Sequence, residues 1–118
     1  MKINIKATKM DLTPAIRNYV QEKIDMLEKY LGEIKVMNCD VEVGLTSHHH
    51  TKGEIYRAEI NLVLPGELLR VEKTEKDLYK AIDKVKDHLA RSIRRYKEKK
   101  IDGHRKVEGI EVEDVMEA

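Results

Sequence analysis

Lysine and arginine recur along residues 76–95 in a pattern suited to phosphate. On a helical wheel at roughly 100° per residue, Lys76, Lys80, Lys84, Arg91, Arg94 and Arg95 share an arc opposite an apolar stripe. Arginine presents a planar fork of donors to phosphate oxygens, and each neutralised phosphate releases counterions. An ordinary solvated face is the competing reading, because Asp77, Asp87 and Glu98 lie on the same arc. The charge balance favours phosphate: from Glu75 to Lys100, ten Lys/Arg stand against five Asp/Glu.

Lys23 is the odd residue of an earlier helical stretch, since it falls inside the apolar arc between the directions of Tyr30 and Ile16. Two compatible readings are open. Its methylenes lie on the core while the ammonium escapes, or the ammonium stands in a groove between two helices where an RNA backbone could lie.

Other reactive residue types carry less. His48, His49 and His50 suggest a metal, but three consecutive loop residues cannot all aim at one ion with supporting hydrogen bonds, so no metal site is expected. His88 and His104 are isolated. Cys39 alternates with Val41 and Val43, which marks a buried apolar side chain rather than a nucleophile. Asp77 and Asp83 flank Tyr79 without forming an acid–base pair, and the chain has no glycine-rich phosphate loop, no Ser-His-Asp arrangement and no HExxH. The expectation is therefore a binding protein with no catalytic residue and no cofactor.

The elements that must position these residues follow from periodicity. Residues 2–7 alternate as a short strand. Thr13 and Pro14 open a helix by capping its N–H groups and presetting its first turn. Ile16, Val20, Ile24, Leu27 and Leu31 then form its buried stripe, and Gly32 closes it. A second strand spans about 34–46. Its phase changes between Val36 and Met37, which marks either a bulge or the true start of the buried strand. After a polar loop at 47–53, Tyr56, Ala58, Ile60, Leu62 and Leu64 alternate in a third strand. Pro65-Gly66 is a turn, and Leu69 and Val71 begin a fourth strand. A second helix is expected from near Thr74, a possible cap, to about Lys100, with Leu78, Ile82, Val85, Leu89, Ile93 and Tyr96 inward. The order β-α-β-β-β-α predicts an α+β two-layer sandwich, both helices covering one face of a four-stranded sheet.

A length of 118 residues fits one domain. The chain divides into an α+β domain at 1–100 and a flexible acidic tail at 101–118, where Gly103 and Gly109 interrupt a segment with two Lys/Arg against six Asp/Glu. The overall charge of +1 conceals this asymmetry, and a basic element beside an acidic tail points to a polyanionic partner. The lone cysteine allows no internal disulfide, and no apolar run has the length of a signal peptide or membrane span, so a cytoplasmic protein with no membrane partner is expected.

Four stretches carry a family likeness: residues 11–20 (DLTPAIRNYV), 27–30 (LEKY), 64–66 (LPG) and 77–83 (DLYKAID). With Leu89-Ala90-Arg91 and Tyr96-Lys97, their order and spacing over residues 2–100 resemble the ribosome hibernation-promoting factor family, which includes ribosome-associated inhibitor A. The resemblance implies two helices on a four-stranded sheet. It also implies a partner, the small ribosomal subunit, bound at its 16S-type rRNA near the decoding centre in the channel used by mRNA and tRNA anticodon ends. Such binding blocks initiation and preserves idle ribosomes in stationary phase or stress, with no small-molecule substrate. The family's basic positions fall on Lys23, Lys29, Arg91, Arg95 and Lys97; Lys80, Lys84 and Arg94 are added from the wheel. There are departures. His88 replaces the usual lysine and weakens the charge at neutral pH, Glu67 follows Gly66 where a small residue is common, and the tail fits no subtype. Long members carry a second domain that dimerises ribosomes, and some short ones carry a tail that interferes with dimerisation. The alternatives are a general double-stranded RNA module and, in another class, a small metal enzyme using His48 to His50.

Overall fold

Alternation of apolar residues builds the sheet, and one row shows how. Ile5, Val41, Ile60 and Val71 lie side by side across all four strands and point to the same side. The computed structural model describes residues 1–46 and 53–108, with side chains through Ile101. Its strands are β1 (Asn4–Thr8), β2 (Asn38–Leu45), β3 (Tyr56–Leu64) and β4 (Glu67–Glu75), in that spatial order. β1 runs parallel to β2, and the crossover between them carries α1 (Pro14–Asp25) and α2 (Glu28–Leu31). β2, β3 and β4 form an antiparallel meander, and α3 (Leu78–Glu108) follows. This is the expected α+β sandwich, with the helices on one side of the sheet.

The core lies between the layers. Val20, Ile24, Leu27 and Leu31 come from the crossover, Cys39 to Val71 from the strands, and Leu78, Ile82, Val85, Leu89, Ile93 and Tyr96 from α3. Each fully buried aliphatic side chain contributes about 1.5–3 kcal/mol relative to exposure. Tyr96 adds a polar anchor, its hydroxyl donating to the Pro65 carbonyl at 2.6 Å, which ties α3 to the β3–β4 turn. In that turn Pro65 fixes φ, and Gly66 adopts φ of 81°, which a side chain would oppose.

Local details depart from the sequence reading. The first predicted helix is two pieces, because after Asp25 the chain tightens: Leu27 N–H bonds to the Ile24 carbonyl at 2.9 Å, one residue short of helical spacing. Leu27 and Leu31 nevertheless stay in the core. At Val36–Met37 the second alternative holds: β2 begins at Asn38, with Met37 exposed and Cys39, Val41 and Val43 inward. The long helix does not start near Thr74. Pairing of Thr74 with Arg57 and of Glu75 with Tyr56 extends β4, so ladder bonds outcompete the local capping preference of Thr74. Asp77 caps instead, its side chain accepting from Tyr79 N–H at 2.9 Å. Nor does α3 stop near Lys100; it continues through Gly103 to Glu108. Thr13 caps α1 as expected, accepting from Ile16 N–H at 3.2 Å.

Candidate nucleic-acid interface

The apolar stripe of α3 faces the sheet, so its remaining residues divide among two flanks and an outer crest. Toward α1 and α2 stand Tyr79, Asp83, Arg94 and Lys97. Toward β4 stand Lys84, His88, Arg95 and Lys99, and Lys80, Arg91 and Glu98 form the crest. The structure thus separates the eight sequence-derived cations. Lys23, Lys29, Arg94 and Lys97 gather along the seam between α1–α2 and α3, while Lys84 and Arg95 lie on the other slope and Lys80 and Arg91 on the crest between them.

The seam is built from tyrosines. Tyr19 donates to Asp83 at 2.7 Å and meets Tyr79 edge-on, with ring centroids 4.7 Å apart. The bond to Asp83, followed by burial, pushes the Tyr19 hydroxyl up to about 12, so it remains a proton donor at physiological pH. Lys23 lies 5.1 Å from the Tyr19 centroid and 3.5 Å from Asp83. Both readings of Lys23 are therefore partly met: its side chain is 19% exposed, and its ammonium sits between α1 and α3. Further along, Lys29 and Arg94 stand over the Tyr30 ring at 5.3 and 5.8 Å, and Lys97 donates to the Tyr30 carbonyl at 2.8 Å. Cation–π contacts hold these charges in place while leaving their donors available.

The eight cations differ in what already engages them. Lys23 is paired with Asp83 and Lys84 with Glu75, and Lys97 is half-buried against a carbonyl. Among the described residues no carboxylate pairs with Lys29, Lys80, Arg91, Arg94 or Arg95, and all five are exposed. Sequence reasoning missed Tyr19, Tyr30 and Tyr79. The neighbouring pairs Lys29-Tyr30 and Tyr79-Lys80 were a visible hint, but the contacts joining the helices span more than sixty residues of sequence.

The opposite side of the sheet behaves differently. Its rows read Asn4, Asp40, Asn61, Arg70 and Lys6, Glu42, Glu59, Glu72. Arg57 pairs with Glu59 and Glu72 and reaches Glu42 at 3.7 Å, and Arg70 meets Glu59 at 3.5 Å. The Thr8 hydroxyl donates to Glu42 at 2.6 Å, and that bond, aided by Arg57, lowers the Glu42 pKa. The arginines of the open sheet face are thus neutralised within it, though Lys6 has no salt bridge among the described residues, and most of the exposed cations without partners on α3 and its neighbours stand on the helix side.

The remaining candidates are inert or undescribed. Cys39 is buried and its thiol is pushed up to about 11, chiefly by burial, so it stays protonated. His48, His49 and His50 lie outside the described residues, among which no three or more His, Cys, Asp or Glu are placed to hold a metal. No helix among the described residues is long and apolar enough to cross a membrane.

Residues 3–101 match the family described as Sigma 54 modulation protein / S30EA ribosomal protein. The chain belongs to this family. The likeness read from residues 11–20, 27–30, 64–66 and 77–83 is confirmed by the relatives. A ribosome hibernation promotion factor from Staphylococcus aureus is 34% identical over 97 residues, covering 82% of this chain and 48% of that protein. One from Lactococcus lactis is 34% identical over 99 residues, covering 82% and 50%. The chain spans about half the length of these curated relatives. Among solved structures, the N-terminal domain of Thermus thermophilus Protein Y is 34% identical with a TM-score of 0.71, over 81% of this chain and 99% of that one. A ribosomal subunit interface protein from Coxiella burnetii, 20% identical, shares the fold with a TM-score of 0.66, over 82% and 98%.

Proposed function

We propose that this S30EA-family chain binds the small ribosomal subunit through its helix face, lying on rRNA near the decoding centre in the channel used by mRNA and tRNA anticodon ends. Occupying that channel blocks initiation and keeps idle ribosomes intact in stress or stationary phase. The observation that carries this reading is the one-sided charge. Lys29, Lys80, Arg91, Arg94 and Arg95 have no carboxylate partner among the described residues, whereas on the open sheet face both arginines, Arg57 and Arg70, are paired and Lys6 alone of that face's rows is not. Unpaired arginine and lysine on a rigid, tyrosine-braced helix pair form a surface complementary to closely spaced phosphates. The names of the relatives supply the ribosomal context. The action is occupancy, and no side chain of the interface has to transfer a proton or form a bond.

The test is competition on purified small subunits. The chain is expected to bind them in preference to plain RNA duplex, and prior loading with mRNA and a tRNA anticodon stem-loop should block it. Log affinity should fall steeply and linearly with log salt concentration. Binding that persists unchanged beside loaded mRNA and tRNA would remove the channel placement. Equal affinity for any RNA duplex would make the chain a general double-stranded RNA module.

A further inference from the structure

Between α3 and β4 the charges match at both ends and clash in the middle. Alternate residues of a strand face the same way, so Glu67, Leu69, Val71, Lys73 and Glu75 share the side of β4 that α3 covers; Leu69 and Val71 are buried there. At one end Glu75 pairs with Lys84, and at the other Glu67 meets Lys99 at 3.2 Å. Two strand residues span about 6.6 Å and four helical residues about 6 Å. One step inward from the Glu75–Lys84 pair therefore sets Lys73 against His88, and the next turns of α3 bring Arg91 and Arg95.

No carboxylate pairs with Lys73, Arg91 or Arg95 among the described residues. The groups facing His88 are Lys84, Arg91 and Arg95 from α3, and Lys73 and Glu75 from β4, of which Glu75 is held by Lys84. Ala58 of β3, opposite Lys73 in the ladder, brings no charge. The Nδ1 atom of His88 is buried with no hydrogen-bond partner. Burial first, and then Lys73, Arg91 and Arg95, hold its pKa below 6.5, so the ring is neutral at pH 7. Like charges set side by side destabilise a fold. Three cations around an imidazole, with the one nearby carboxylate, Glu75, already taken by Lys84, define a place for an anion.

We propose that Lys73, His88, Arg91 and Arg95 form a phosphate site that takes one backbone phosphate of bound RNA, and that His88 gains a proton as that phosphate arrives. This rests on the RNA-binding reading above and extends it from a face to a site. The phosphate cancels the repulsion that keeps the imidazole neutral. Proton uptake on binding means that affinity rises as pH falls, by up to tenfold per pH unit for one proton.

Two measurements decide the matter. In the first, the His88 imidazole is titrated by NMR at fixed ionic strength with and without inorganic phosphate; phosphate should raise its pKa. In the second, affinity for purified small subunits is measured from pH 8 to pH 5.5. The unaltered chain should bind more tightly as pH falls. His88→Gln should lose most of that dependence. Lys73→Gln should reduce the slope of log affinity against log salt by about one, the signature of a single lost phosphate contact. If both the unaltered chain and His88→Gln bind subunits with the same pH dependence, the proton-linked site is wrong while the ribosomal reading stands. A raised pKa in phosphate beside pH-independent subunit binding would overturn RNA as the occupant. If the chain binds no subunits at any pH, the ribosomal reading fails. The phosphate arm then rules on the site itself, and an unmoved His88 pKa overturns it.

Discussion

On α3, neighbouring residues have opposite duties. Arg91 and Arg95 are exposed one turn apart, whereas Ile82 and Leu89 are buried among strand side chains. Replacing Arg91 and Arg95 by Glu should leave the melting temperature nearly unchanged, because surface changes usually shift stability by less than about 0.5 kcal/mol. The same pair should abolish small-subunit binding and relieve inhibition of cell-free translation, as two attractions to phosphate become repulsions. Ile82→Ala should do the reverse. Lost burial and the cavity left behind cost roughly 2–5 kcal/mol, while the folded fraction still binds. A well-folded double reversal that inhibits at the unaltered concentration would clear α3 of this role. At this scale the sequence was informative about Arg91, Arg94 and Arg95, because helical periodicity alone separates outer from inner residues. It was silent on Lys73 and on the pairing of Lys84 with Glu75. Both depend on how far β4 extends and where it lies under α3, which no local pattern encodes.

Elements show where local preference decides and where it yields. The Thr13-Pro14 start, the alternation of β3 and the stripe of α3 were legible because each is a short-range pattern repeated several times. The break after Asp25 and the extension of β4 through Glu75 were not. The first preserves an unbroken apolar spacing while the backbone tightens, and the second replaces a capping preference with ladder pairing to Tyr56 and Arg57. Gly44 is an element-scale feature of the same kind. It interrupts an apolar strand for no reason visible in the sequence, yet it pairs with Thr8 in the parallel β1–β2 ladder. A Cβ there would stand 2.5 Å from the Thr8 carbonyl oxygen and 3.1 Å from its Cβ. Because the nearest atom is backbone, β1 would have to shift. Gly44→Ala is expected to destabilise the chain by about 1–3 kcal/mol, the range for overpacking a closed site, read from the denaturant midpoint. Since Gly44 lies on the open side of the sheet, the folded variant should bind small subunits normally. A change below about 0.5 kcal/mol would contradict the Gly44–Thr8 approach.

For the whole molecule, the described core and the proposed interface both precede the acidic end of the chain. Among the described residues every buried core residue precedes Lys97, and the proposed contacts end at Lys97 as well. Residues 109–118, which lie outside the described residues, hold four of the carboxylates and no Lys or Arg. Removing them takes the formal charge from +1 to +5 and keeps every core residue named above. Truncation after Glu108 should therefore leave the melting temperature unchanged. Its effect on binding is set by screening. At low ionic strength the added positive charge is felt across the RNA surface and affinity should rise. Near 0.15 M salt, where the Debye length is about 8 Å, the truncated and full chains should converge. Sedimentation with small subunits across a salt series reads both limits. If truncation instead weakened binding by more than tenfold, about 1.4 kcal/mol, residues 109–118 would have to contact the ribosome directly. The interface could then no longer be assigned to the helix face alone.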